Sequence, residues 1–385
     1  MKVLHIASFT GNIGDNANHK GMRSRLESAL GVKPEYTELE IRYCYRIYTG
    51  EHRWAFDDTF IEKANAHDLV IIGGGNFFEP WLDESATATT INITNERLQK
   101  IKKPLVFFGV GFDIHKGCKP ENLEKFASFL AHCIHQDNIL MSFRNDGSLK
   151  NLKIAYPDRP DLWDGVAVVP DGGFSYDVGY QSASYLPEGR FWGINIASDM
   201  EALRFPSGVP AANSWKDFLN QYARFLEKSL VADPALKIIL FPHIFRDVLS
   251  IGEFMTCLDD RLCRDRIVVA PFACGWQACD HVFSLYKNCE LVMGMRFHTN
   301  VCSIAMEIPA IPLISYPKLY DLYEELGLQE RAVYANQQDF SDAIAEVSAG
   351  ILHDINSVKH KNTLVKKQLD QASNQFFARV KTLLS

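Results

Sequence analysis

Several things are missing from this sequence, and each absence excludes a class of protein. No apolar run approaches ~18 residues, so no membrane-crossing helix is expected. The opening residues, MKVLHIASF, are too short and too strand-like for a signal peptide, which points to the cytoplasm. The nine cysteines are scattered, and no two have CxxC spacing. Cys274 and Cys279 come nearest to a cluster, and their flanks carry no ligand pattern. A zinc site is therefore not expected, nor is any obligatory metal. An odd number of cysteines, several inside apolar runs, fits reduced thiols. Positive charge is in deficit: the formal net charge is -7, which excludes a surface built to track nucleic acid. There is no GxGxxG fingerprint, no repeat at a solenoid period and no low-complexity tract.

What is present is an alternation of short apolar runs and amphipathic stretches over 385 residues. That length implies two domains, and the alternation implies parallel α/β sheets. Val3 to Ser8 reads as a strand. It runs into Thr10-Gly11-Asn12-Ile13-Gly14-Asp15, and a helical pattern through Met22, Leu26 and Leu30 follows. Asp68 to Ile72, Leu105 to Phe108, Ile139 to Ser142 and Val166 to Val169 are further strands. Their ends carry Gly73-Gly74-Gly75, Gly109-Val110-Gly111, Arg144-Asn145-Asp146 and Pro170-Asp171. Tyr176 to Arg190 is poorly periodic and reads as a connector. Beyond it Phe191 to Ile196, Lys237 to Phe241, Ile267 to Ala270, Leu291 to Met293 and Ala310 to Ile314 are strands. Asp259 to Arg266 reads as a charged connector. Two helical segments close the chain, the last over Asn362 to Leu384. The expected domains are residues 1–180 and 191–335, with residues 336–385 as helices that reach back toward the first.

Chemistry gathers at the strand ends, which in open parallel sheets is where ligands bind. Arg296 and His298 follow the Leu291 to Met293 strand, with a helix expected from Thr299. Ser315 and Lys318 follow the next strand. A fork for a carboxylate or phosphate, a compact charge and a proton-exchanging group at a helix start fit a small, doubly anionic substrate undergoing proton transfer. The alternative is that Arg296 pairs with a nearby carboxylate and His298 is a satisfied core histidine. At the first turn, Asp15 and Asn12 suit sugar hydroxyls, or else a helix cap with Asx turns. Gly74 and Gly75 let the backbone pass close to a ligand, or to the next packed element.

Taken in order, these pieces resemble the polysaccharide pyruvyl transferase family. The matching stretches are Gly11 to Asp15, Gly73 to Gly75, Phe108 to Gly111, Ser142 to Ser148 (the family's S-x-R-D-x-x-S), Pro170-Asp171, Arg296-Phe297-His298 (R-x-H) and Tyr316-Pro317-Lys318 (Y-x-K). The resemblance covers roughly residues 1–330. It implies two Rossmann-like domains facing across a cleft, as in GT-B glycosyltransferases. It implies phosphoenolpyruvate as donor, no separate cofactor, and a glycan or lipid-linked sugar with two free hydroxyls as acceptor. The expected product is a pyruvate ketal on a surface polysaccharide or its precursor. With a lipid-linked acceptor the enzyme would work beside the inner face of a membrane without insertion.

The resemblance implies donor binding by Arg144, Arg296 and His298, with Lys318 beside them. Phe297, Ser315, Asn12, Gly74 and Gly75 complete the expected substrate-binding set. His298 is expected as general acid/base, with Asp15 in acceptor binding or a second proton role. Two other readings share the architecture. One is a GT-B glycosyltransferase using a nucleotide sugar, with Glu307 or Glu324 on the ribose. The other is a non-catalytic glycan-binding protein.

Overall fold

The computed structural model describes residues 1–180, 186–206 and 212–385. The middle of the expected connector, residues 181–185, lies outside the described residues. Two compact units are present, and neither is contiguous in sequence. The first comprises Met1–Phe9, Asn18–Ser175 and Leu369–Ser385; the second comprises Thr10–Ala17 and Tyr176–Gln368.

The first unit is built on a six-stranded parallel sheet. Its strands are β1 (Lys2–Ala7), β2 (Glu35–Glu40), β3 (Leu69–Phe78), β4 (Leu105–Phe112), β5 (Ile139–Arg144) and β6 (Ala167–Val169), in the order β2-β1-β3-β4-β5-β6. Both faces are buried, as parallel sheets require. Alternate residues go to opposite sides. Leu4, Ile6, Val70, Ile72, Phe107 and Phe143 face one core; Val3, Leu69, Ile71, Val106 and Phe108 face the other. The first core is rich in phenylalanine, with Phe78, Phe107, Phe126 and Phe129 in ring contact. The second is closed by Phe376, Phe377 and Val380 from the end of the chain.

The second unit holds β7 (Arg190–Asn195), β8 (Leu236–Leu240), β9 (Ile267–Val269), β10 (Cys289–Gly294), β11 (Ala310–Ile314) and β12 (Val333–Tyr334), ordered β12-β11-β10-β7-β8-β9. Counted from its own first strand this is the Rossmann order 3-2-1-4-5-6 read from the other edge. The strand order reverses between β7 and β10, which pair in parallel from Cys289–Phe191 to Gly294–Asn195. One face packs Trp192, Ile194, Leu240, Leu291 and Met293, and the other packs Phe191, Ile239, Phe241 and Val292. Ile13 and Ala17 join this second face.

The structure departs from the sequence reading in several places. β2 was unread because Glu35-Tyr36-Thr37-Glu38-Leu39-Glu40 is too charged to look buried, yet it pairs with β1 along its whole length as an edge strand. Charge on an edge is what keeps that edge from pairing further. β3 and β4 continue through their glycines to Phe78 and Phe112 instead of ending before them. Asp259 to Arg266 is a capped helix over Asp260–Arg266, not a connector, with the Asp259 side chain accepting from Arg261 N–H.

The last helix, Ile355–Leu383, contributes its final turns to the first unit. Phe377 is 3% exposed and stacks on Phe108 with ring centroids 5.6 Å apart. Phe377→Ala is expected to destabilise the first unit by about 3–5 kcal/mol, the usual loss for a buried phenylalanine. Urea unfolding followed by circular dichroism measures it. A loss under about 1 kcal/mol would mean that this helix end is not part of the core.

Candidate active site

The carboxyl rim of the second sheet is organised by one buried carboxylate. Asp247 is 0% exposed and lies just past β8, near the start of the Phe245–Met255 helix. It accepts from His243 N–H at 2.9 Å and Ile244 N–H at 3.3 Å. It also accepts from Arg296 Nε at 3.2 Å and from Arg296 Nη2. Arg296 immediately precedes the Phe297–Ala305 helix, and its backbone N–H donates to Asn195 Oδ1 at 2.9 Å. Asn195 ends β7, and its amide donates to Phe241 O at 2.8 Å. The reversal point between β7 and β10 is thereby pinned, and the guanidinium is aimed along the rim.

The other edge of Arg296 holds Asp199, with Nη1 at 3.0 Å and Nη2 at 2.8 Å. Arg204 reaches the same carboxylate at 3.5 Å and donates to Ser315 Oγ at 2.8 Å. Burial works against the charge on Arg296, but Asp247 and Asp199 outweigh it and raise its pKa. Arg204 goes the other way: burial lowers its pKa more than Asp199 restores it. For Asp199, burial pushes upward and the two arginines more than reverse it, so the pKa is lowered. Lys318 Nζ sits 5.4 Å from the Phe297 ring centroid, and that ring stands edge-on to His298. Phe297 and Lys318 each lie in the first turn of a helix, Phe297–Ala305 and Pro317–Glu325.

The helix starts at Phe297, two residues before the expected start at Thr299, so His298 lies in its first turn. Asp15 Oδ1 is 4.0 Å from His298 Nδ1. The segment carrying Asp15 lies tight against this ring. A Cβ added at Gly14 would come within 2.6 Å of His298 Cβ and Nδ1, so any side chain there must displace His298. Asn12 immediately precedes the Ile13–Leu30 helix, and its Oδ1 accepts from Gly14 N–H at 2.9 Å, capping the helix start. Ile13 N–H donates to His243 O at 3.4 Å. His243 is itself buried, with Nε2 2.8 Å from Tyr286 OH. Burial, then Arg296 and His298, hold its pKa well below the ordinary histidine value, so it stays neutral. Asp15, Asn12, Arg296, Phe297, His298, Ser315 and Lys318 therefore all belong to the second unit.

Arg144, Gly74 and Gly75 belong to the first unit. Arg144 ends β5 and is 3% exposed. It donates through Nε to Asp146 at 2.8 Å and through Nη1 to Asp171 at 3.3 Å. Burial lowers its pKa, but these two carboxylates overcome that and leave it raised. Asp171 also accepts from Asn18 at 2.9 Å, and its backbone N–H donates to Asn145 Oδ1 at 2.9 Å. Asp146 also takes the Ser148 hydroxyl. Ser142, Arg144 and Ser148 therefore stand at the spacing of S-x-R-D-x-x-S with no inserted residue, and Asn145 occupies the family's Asp position. At Gly74 an added Cβ would meet Asn18 Nδ2 at 2.5 Å, and at Gly75 the Phe77 ring at 2.5 Å, so packing alone accounts for both glycines.

Sequence reasoning missed Asp247, Asp199, Arg204, His243 and Asn195 as members of the rim. Three of these had a signal. Asn195 ends a strand, while His243 and Asp247 follow one, the position that drew attention to Arg296. Asp199 and Arg204 lie in an aperiodic stretch beside residues outside the described set, and nothing in their spacing marks them. Glu307, one candidate for a ribose contact, follows the Phe297–Ala305 helix and precedes β11. It therefore lies at the amino edge of the sheet, the end opposite the rim.

The family model for polysaccharide pyruvyl transferase matches residues 12–316. The chain belongs to the polysaccharide pyruvyl transferase family. No curated protein matches it in sequence. Among solved structures it resembles HepE from Anabaena in complex with UDP and glucose, at 12% identity and a TM-score of 0.53, over 99% of each chain. It also resembles the glycosyltransferase SnogD from Streptomyces nogalater, at 12% identity and a TM-score of 0.51 over 100% of each chain. A third likeness is S. aureus MnaA with UDP, at 12% identity and a TM-score of 0.51, over 94% of this chain and 90% of that one. These likenesses establish a two-domain, GT-B-like α/β fold. Among the described residues no helix of this pyruvyl transferase family member is long and apolar enough to cross a membrane.

Two variants check the rim. Asp247→Ala removes one of the two carboxylates paired with Arg296 and strands two backbone N–H groups, and should cost about 3–5 kcal/mol in urea unfolding. Gly14→Ala should keep the fold by circular dichroism but displace His298. A misplacement near 1 Å should lower kcat by about 10²-fold. Unchanged turnover in folded Gly14→Ala would mean that the position of His298 does not matter.

Proposed function

We propose that the protein moves the enolpyruvyl group of phosphoenolpyruvate onto a sugar of a surface polysaccharide or its precursor, closing a pyruvate ketal. The observation that supports this reading is the composition of the second unit's rim. Arg296, Arg204, Lys318 and His298 meet there beside two helix starts, at the reversal point of a parallel sheet. A donor with a carboxylate and a phosphate needs cations at two points and a proton carrier between them. Arg296 takes one anionic group and Lys318 the other, with Arg204 and the Ser315 hydroxyl alongside. Arg144 of the first unit is the remaining donor candidate.

The chemistry balances without a cofactor. A sugar hydroxyl attacks the phosphate-bearing carbon of the enol while the methylene carbon takes a proton and becomes a methyl group. The carbon–oxygen bond to phosphate then breaks, and a second hydroxyl of the same sugar adds to close the ketal. Of the two hydroxyl protons lost, one is matched by the methyl proton and the other leaves with phosphate. His298 carries the proton at the enol, and Asp15 steadies the ring from its Nδ1 side. The reading takes no metal. It puts the enzyme in the cytoplasm, beside the membrane when the acceptor is lipid-linked.

Phosphoenolpyruvate should raise the melting temperature by mass action, and chelation of divalent metals should leave turnover intact. Transfer of label from phosphoenolpyruvate to a panel of β-galactosides and N-acetylhexosamines tests the reaction itself. Stabilisation by a nucleotide sugar alone, or strict dependence on Mg²⁺ or Mn²⁺, would favour a glycosyltransferase instead.

Arg296 and His298 should separate kinetically. Arg296→Lys loses the planar fork and should raise KM for phosphoenolpyruvate. His298→Gln should leave donor binding near normal and lower kcat by about 10²–10⁴. If His298→Gln binds the donor poorly yet turns over normally, His298 is a donor ligand and Asp15 is the next candidate for the proton.

A further inference from the structure

Arg296 meets two carboxylates, and the two are built differently. Asp247 is 0% exposed and also satisfies backbone N–H groups of His243 and Ile244. Removing it from Arg296 would strand those groups in the interior, so it is a fixed clamp. Asp199 lies on the loop after β7, and its side chain is 21% exposed. Apart from its own backbone N–H, its carboxylate is held by two guanidinium groups, those of Arg296 and Arg204. When it turns to water it strands no backbone N–H of another residue, and it leaves Arg296 Nη1 and Arg204 Nη2 to the anion that replaces it.

A guanidinium offers two forked edges. Asp247 takes the edge formed by Nε and Nη2 of Arg296. Asp199 takes the edge formed by Nη1 and Nη2, one oxygen to each nitrogen, at 3.0 and 2.8 Å. That is the paired geometry by which arginine grips a substrate carboxylate or phosphate. An incoming anion that uses this fork meets an edge already filled by an anion of the protein. The same carboxylate spans to Arg204, whose Nε donates to the Asp199 carbonyl at 2.7 Å and whose Nη1 donates to Ser315 Oγ at 2.8 Å.

We propose that Asp199 fills the anion seat whenever no substrate is bound, and that an anionic group of the substrate displaces it from Arg296 and Arg204. The proposal rests on the reading that Arg296 holds the donor. Its consequence is selectivity. A lone carboxylate, as on pyruvate, exchanges one carboxylate for another and gains little. A phosphoryl group brings more charge and a third oxygen, and so can fill the Arg296 fork and still give Arg204 a closer partner than Asp199 does at 3.5 Å. The apparent affinity of any anion is lowered by the fraction of molecules in which the seat is open.

Isothermal titration of the full chain with inorganic phosphate, phosphoenolpyruvate and pyruvate, in wild type and Asp199→Asn, tests this. If Asp199 holds the seat about nine-tenths of the time, the variant should bind phosphate and phosphoenolpyruvate about tenfold more tightly. It should also bind pyruvate measurably where wild type does not. Phosphate affinity that is unchanged or weaker in a folded variant overturns the proposal. Asp199→Ala repeats the test without a side chain able to re-pair. Should neither variant fold, a crystal structure of wild type with phosphate decides. Asp199 moved out of hydrogen-bond reach of Arg296 supports the seat, and phosphate bound with the pair intact overturns it. A tenfold gain for phosphate in a protein that does not turn over phosphoenolpyruvate leaves the seat standing and removes the donor reading. Turnover of phosphoenolpyruvate by wild type with no gain in the variants removes the seat alone.

Discussion

A carboxylate taken fully out of water is tolerated only where its surroundings replace the water completely. Asp247 meets that condition by collecting the N–H groups of His243 and Ile244, the guanidinium of Arg296 and, through Arg296, the end of β7. Each partner comes from a different stretch of chain, so the carboxylate is a local device that fixes non-local geometry. The strand order reverses between β7 and β10, which leaves room for a ligand there. Asp247 determines what faces that room. His243, held neutral behind it, adds no competing charge.

The fold was largely legible because both sheets are buried on both sides. Runs such as Leu69-Val70-Ile71-Ile72 and Leu105-Val106-Phe107-Phe108 have no polar face to blur them. Elements at the margins were not legible, for the converse reason. β2 carries three glutamates because an edge strand gains from charge, and charge is what a search for apolar runs discards. β3 passes through Gly73, Gly74 and Gly75 because its neighbours, Asn18 and Phe77 among them, fill the space that side chains would need. Read as sequence, three glycines look like the end of a strand.

The candidate site divides in the same way. Arg296, His298 and Lys318 were visible because they sit just past apolar strands and match R-x-H and Y-x-K. Their carboxylate partners were not, since nothing in one sequence tells that Asp199 and Asp247 converge on one guanidinium. The first unit shows a related effect within a motif. In Arg144-Asn145-Asp146 the amide at the family's Asp position orders the backbone of Asp171, while the next residue supplies the charge for Arg144. The spacing is kept and the duties are divided between neighbours.

The two units share the chain in an unusual way. The second needs Thr10–Ala17, which precedes most of the first, and the first needs Leu369–Ser385, which follows all of the second. A ribosome making this protein therefore cannot release a finished first unit on the way to the second. The face of β4 around Phe108 gains its Phe376 and Phe377 cover only once those residues have been made. Any shortened transcript that ends before Phe376 would yield a first unit that never closes.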